Sequence, residues 1–145
     1  MQFVDPYDLV DLNLFHPIVD KENHSRAEAW NPTWAYVVAG HGNPVNMTDE
    51  NQRIIYPWDL AKRIRSDPKW KGRPVIVASC NTGREPSTYP GRPSFQQYLA
   101  DELGVDVTSA TDFVFFQKNG KPPLVGPIDG PPTNSWKSVS PRRTK

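Results

Sequence analysis

Two stretches, "TWAYVVAGHG" at 33–42 and "RPVIVASCNTG" at 73–83, decide how this chain folds. Each is a nearly continuous run of β-branched, aromatic and small apolar residues, which is the composition of a strand buried on both faces. Each run then breaks off at a reactive side chain among small residues, His41 in the first and Cys80 in the second. Strand ends of this kind ask for an explanation, because a core has no need to finish two strands with an imidazole and the only cysteine of the chain.

The segments between and after these runs have helical spacing. "PWDLAKRIRSDPKW" (57–70) puts Leu60, Ala61 and Ile64 on one face, with Pro57 opening the helix and Asp67-Pro68 ending it. "RPSFQQYLADELG" (92–104) puts Phe95, Tyr98, Leu99 and Leu103 on one stripe, with Ser94 as N-cap and Gly104 as the C-terminal stop. "VDVTSAT" (105–111) alternates as a third strand. "DFVFFQKNGKPPLV" (112–125) reads as a hairpin turning at Asn119-Gly120, and Pro122 and Pro123 confine its return strand to an edge.

Strand, helix, strand, helix, strand, hairpin is the order of an α/β domain. Its expected form is a mostly parallel central sheet with flanking helices and a C-terminal hairpin. The expected division is an N-terminal lead-in segment at 1–33, an α/β domain at 34–130 and a flexible tail at 131–145. Within 1–33, "DLVDLNLF" alternates like a surface strand and "DKENHSRAEAWNP" is polar enough for loop or a short helical turn.

The whole composition narrows the function classes. The 145 residues suffice for one domain with its own core. Seventeen basic and sixteen acidic side chains leave a net charge of +1, with no basic stripe for a phosphate backbone, so nucleic acid is not the expected partner. No apolar run approaches the roughly 20 residues that span a bilayer, and Asp5, Asp8 and Asp11 stand where a signal peptide carries its cations, so no membrane is expected either. A single cysteine forms no internal disulfide. No Cys/His set has zinc spacing, "GHGNP" lacks the spacing of a dinucleotide loop, and no Walker-type lysine follows it, so neither metal nor nucleotide cofactor is expected.

In open α/β sheets ligands bind beyond the carboxyl ends of the strands, and His41 and Cys80 both lie there. A thiolate is the attacking form of cysteine, and a neighbouring imidazole can take its proton and return it to a leaving amine. Cys80 is the candidate nucleophile and His41 the general acid/base. The backbone N–H groups of Gly42 and Cys80 are candidate oxyanion donors. Asn81, Thr82 and Asp112 are candidate substrate contacts, with capping of the hairpin the competing role for Asp112 and dipole complementation the role for Asp59. Either reactive residue alone is more simply packing or turn, but their joint position at two strand ends favours chemistry.

A strand ending in "HG", a helix, and a strand ending in "SC" resembles the caspase-like cysteine peptidases of clan CD over about residues 34–116. The resemblance implies a caspase-like three-layer sandwich, a His41–Cys80 dyad and oxyanion donors at Gly42 and Cys80. "ASCNTG" departs from the "QACRG"-like stretch of caspases, so no preference for Asp before the cut is implied. "AYVVAGHGNP", "DLAKRIRSDPKWKGRPVIVASCNTG" and "FQQYLADELGVDVTSAT" are also similar to C-terminal toxin domains of bacterial Rhs-type polymorphic toxins, and "FVDPYDLVDLNLF" to the junction after an Rhs core, with Asp8 in place of the junction's glycine. That resemblance implies a type VI secretion effector domain delivered by its Rhs carrier and secretion apparatus into a rival cell's cytoplasm. Its substrate would be protein, and the producer would neutralise it with a cognate immunity protein. Two rival functions use the same residues differently: a deamidase or transglutaminase working through the same Cys-His pair, and a non-catalytic target-binding domain with Cys80 as packing.

Overall fold

The computed structural model describes residues 10–87 and 91–142; the Asp5–Leu9 part of the expected junction lies outside them. The elements in order are β1 (Leu12–Asn13), α1 (Lys21–Glu28), β2 (Tyr36–Ala39), β3 (Met47–Thr48), β4 (Ile54–Ile55), α2 (Pro57–Arg65), β5 (Val75–Ala78), α3 (Phe95–Leu103), β6 (Val107–Ala110), β7 (Phe113–Phe115), β8 (Leu124–Gly126) and β9 (Trp136–Val139). Five strands make the central sheet in the order β1-β2-β5-β6-β9. The first four run parallel, and β9 closes the edge antiparallel to β6.

The two apolar runs of the sequence are its centre. Every residue of β2 and β5 is buried, and the strands pair from Tyr36↔Val75 to Ala39↔Ala78. Alternation sends successive side chains to opposite faces. Tyr36, Val38, Val75 and Val77 meet Leu60, Ala61 and Ile64 of α2 and Phe95 and Leu99 of α3. Val37, Ala39, Ile76 and Ala78 meet Val10, Phe15, Ala27 and Phe116 on the other side. Both faces are therefore covered, as a parallel sheet requires.

The helix signals act as read. Ser94 Oγ accepts the Gln97 N–H at 3.2 Å, and Gly104 takes the left-handed conformation with φ 71°. The Asp59 carboxylate accepts the Tyr56 N–H at 2.9 Å at the start of α2. Tyr98 leaves the expected stripe and meets Trp58 edge-on, while the neighbouring Gln96 is buried. The Gln96 amide donates to the Val107 carbonyl at 2.7 Å and the Lys137 carbonyl at 2.5 Å, which fastens α3 to both β6 and β9.

Residues assigned to the periphery belong to the sheet. The lead-in segment is built into the sheet: 10–33 supplies the edge strand β1, inside the stretch read as a surface strand, and the helix α1, inside the stretch read as loop or a short helical turn. Instead of a tail, the segment from 131 supplies β9, because Trp136 to Val139 satisfy the open edge of β6. Arg142 binds Asp101 through Nε at 2.8 Å and Nη2 at 2.5 Å, and its N–H bonds the other carboxylate oxygen at 2.7 Å. β7 and β8 pair antiparallel as a separate ribbon, and Asn119 and Gly120 both have positive φ in the connection between them.

Two predictions arise here. Tyr36 is buried and its hydroxyl donates to Asp67 Oδ2 at 2.6 Å, so Tyr36→Phe removes a hydrogen bond to a charged carboxylate and should cost about 1–3 kcal/mol in chemical denaturation. Partial desolvation pushes the Asp101 carboxyl up, but the hydrogen bonds from Arg142 and Gln97 outweigh it and hold the group below the usual carboxylate range. A carboxylate depressed in the fold stabilises it above the unfolded value near ~3.9 and loses that contribution as pH falls through the folded value. Following Asp101 by carbon NMR, the titration should move to higher pH in Arg142→Gln.

Candidate functional site

The register of β2 and β5 answers why His41 and Cys80 sit where they do. Ala39 pairs with Ala78, the Gly40 N–H reaches the Ala78 carbonyl at 3.5 Å, and His41 and Cys80 each follow two residues after the paired alanines. They therefore leave adjacent parallel strands at the same level, on the same rim. Their parity matches Val37, Ala39, Ile76 and Ala78, so both continue the face that packs against Phe15 and Phe116. Contacts agree with the parity: the His41 ring stands edge-on to Phe15 at 4.9 Å, and Cys80 Sγ lies against β7.

Gly42 lets the two strand ends touch. A Cβ at this position would lie 2.3 Å from Ser79 Oγ and 2.8 Å from Thr82 Cγ2, closer than any side chain tolerates. The turn after β2 thus rests directly on the turn after β5. The hydrogen bonds flanking Gly42 are Thr48 N–H to the His41 carbonyl at 3.1 Å and Asn43 N–H to the Asn46 carbonyl at 2.9 Å. Its own N–H is not used in them, as an oxyanion donor requires.

Cys80 is half-buried, and its sulfur accepts the Val114 N–H at 3.3 Å. Burial pushes the thiol up; the Val114 and Cys80 N–H groups pull it back in part, and the nearby Asp112 charge adds to the rise. The thiol is accordingly protonated at neutral pH in this conformation. Among the described residues no hydrogen bond joins His41 to Sγ; the His41 Nε2 bonds Asp20 Oδ2 at 2.9 Å.

The remaining expected contacts divide. Asn81 is left-handed, with φ 59°, and its N–H donates to the Asp112 carbonyl at 3.0 Å. Its Oδ1 is buried without a hydrogen-bond partner. Thr82 is fully buried and its hydroxyl donates to the Ser79 carbonyl at 3.1 Å, so it builds the turn and offers nothing to a ligand. Asp112 Oδ1 accepts the Phe113 N–H at 2.9 Å, the capping role for that residue, and its charge reaches Cys80 from there.

Asp20 and Phe15 were missed by sequence reasoning. Both come from the segment read as peripheral, and their proximity to His41 is created by β1 pairing alongside β2. A local signal existed for Asp20, an acidic residue at a helix start, but it points to capping. On the opposite side of the rim, the loops leaving the two strand ends help line an apolar cleft of about 240 Å³ that includes Pro44, Val45, Tyr56, Trp58, Pro86 and Tyr98. Tyr56 and Trp58 stack there at 5.2 Å. Among the described residues no group of three or more His, Cys, Asp or Glu could hold a metal ion, and no helix is long and apolar enough to cross a membrane.

The fold and rim define a mixed α/β domain whose central parallel strands deliver an imidazole and a thiol to one edge. The chain belongs to DUF8616, described as a domain of unknown function, whose family profile matches residues 10–122. No curated protein and no solved structure matches it.

Proposed function

We propose that this domain is a cysteine endopeptidase, with Cys80 as nucleophile and His41 as general acid/base. The observation that carries the reading is the matched exit of His41 and Cys80 from adjacent parallel strands onto one face, with their turns in contact at Gly42. The raised thiol favours a general-base route over a resting ion pair. His41 takes the Sγ proton as sulfur attacks the scissile carbonyl. The N–H groups of Gly42 and Cys80 receive the developing oxyanion, and the imidazolium returns its proton to the leaving amine. Water then attacks the acyl-enzyme with His41 again as base.

The finer architecture, a caspase-like three-layer sandwich with β7–β8 as its hairpin, belongs to the same proposal. So does the biological setting: an antibacterial effector domain carried by an Rhs protein into a rival cell's cytoplasm, cleaving protein targets there and held in check at home by an immunity protein. What suggests it is the resemblance of the stretches around His41 and Cys80 to such toxin domains.

The test is a survey of new protein N-termini in bacteria expressing the wild-type chain or Cys80→Ala. A small set of new termini seen with the wild type alone is expected. Equal toxicity of both variants would overturn the catalytic reading, and toxicity of the wild type without new termini would replace peptide cleavage by other acyl chemistry such as deamidation.

A further inference from the structure

We propose that Asp20 is a positioning residue for His41: its carboxylate accepts the Nε2 proton and leaves Nδ1 as the ring atom that exchanges a proton with Cys80. This rests on the reading of Cys80 and His41 as nucleophile and base. A carboxylate only accepts hydrogen bonds, so the ring nitrogen 2.9 Å from Asp20 Oδ2 must be the protonated one. A neutral imidazole carries one such proton, and Nδ1 is then the free base.

The surroundings of Asp20 are arranged for that contact. It occupies the N-cap position of α1, yet its side chain makes no capping bond. Its backbone is fixed instead, with the Asp20 N–H on the His16 carbonyl at 3.0 Å and the His24 N–H on the Asp20 carbonyl at 2.8 Å. His16 Nδ1 tightens the same turn by accepting the N–H groups of Ile18 and Val19, each at 3.1 Å. Phe15 meets the His41 ring edge-on at 90° and is itself braced by Phe116 at 5.4 Å. Asp20 thus fixes which ring nitrogen carries the proton, and Phe15 fixes the tilt of the ring.

A purely stabilising role fits poorly. The His41 side chain is 49% exposed and Asp20 26%, and pairs this accessible contribute little to folding. Sacrificing a helix cap for such a pair makes sense when the histidine's orientation is what matters.

The experiment compares wild type, Asp20→Ala, Asp20→Glu and Cys80→Ala. The His41 tautomer is read by nitrogen-15 NMR, the reactivity of Cys80 by its alkylation rate with iodoacetamide, and cleavage on a peptide spanning a bond found in the N-termini survey. Wild type should show the Nε2–H tautomer. Asp20→Ala should mix the tautomers, slow alkylation and lower kcat about a hundredfold with KM little changed. Asp20→Glu should recover part of each. An Nδ1–H tautomer in the wild type, or unchanged alkylation and kcat in Asp20→Ala, would overturn the assignment. If tautomer and alkylation respond but no peptide is cut, the peptidase reading fails and the positioning of His41 by Asp20 stands.

Discussion

Cys80→Ala is expected to lose peptide-bond cleavage by a factor on the order of 10⁴ or more, the scale seen when the nucleophile of an acyl-transfer site is removed. The loss should come without unfolding. Besides its own backbone N–H, the sulfur accepts one N–H, from Val114 at 3.3 Å, and the site is only half-buried, so the substitution should cost about 1 kcal/mol and move Tm by a few degrees. Circular dichroism and a thermal melt on the same preparation separate inactivity from instability.

The thiol also has a pH signature. Burial disfavours the thiolate, so alkylation of the folded protein should have its midpoint above the ordinary value near ~8.5, whereas the urea-unfolded chain should react near that value. The linked stability has the corresponding sign. A group raised in the fold contributes fully below its unfolded value, and that contribution is lost as pH rises through the folded one. Stability should therefore decline across the alkaline limb in wild type and more weakly in Cys80→Ala.

Gly42→Ala should damage fold and site together. The added methyl must displace the buried Ser79 hydroxyl at 2.3 Å and Thr82 at 2.8 Å, neither of which has a free path to solvent. Overpacking of this kind costs about 3 kcal/mol, which for a domain of this size lowers Tm by about 10 °C. His41 is the preceding residue and moves with the turn, and a displacement of about 1 Å in a reacting group costs about 10²-fold in rate. Ser79→Ala added to Gly42→Ala removes the closest contact, so the double variant should regain part of the lost Tm. Strict additivity of the two changes would show that the turns are not in contact.

How much of this was legible in the sequence depended on whether the signal was local. β2 and β5 were legible because strands buried on both faces must be apolar throughout. α3 was legible because Ser94 and Gly104 punctuate it by capping chemistry that acts within a turn. α1 was obscured because Ala27 is the only residue it fully buries, which leaves no periodic stripe. β9 was hidden because "WKSV" sits among prolines and polar residues and buries little; its place is set by the unpaired edge of β6 and by the Gln96 amide. β3 and β4 are two residues each, too short for any pattern to register.

The sequence by itself determined the α/β class, the two central strands with their helices, and the presence of His41 and Cys80 at strand ends. Those follow from hydrophobic run length, helical spacing and capping, all properties of neighbouring residues. Only the tertiary structure decided that the two residues leave at the same level and on the same face, that Gly42 presses one turn onto the other, that burial raises the thiol, and that Asp20 and Phe15 hold the imidazole. Register, close approach and desolvation exist only between segments far apart in the chain, and parallel pairing is what brings those segments together.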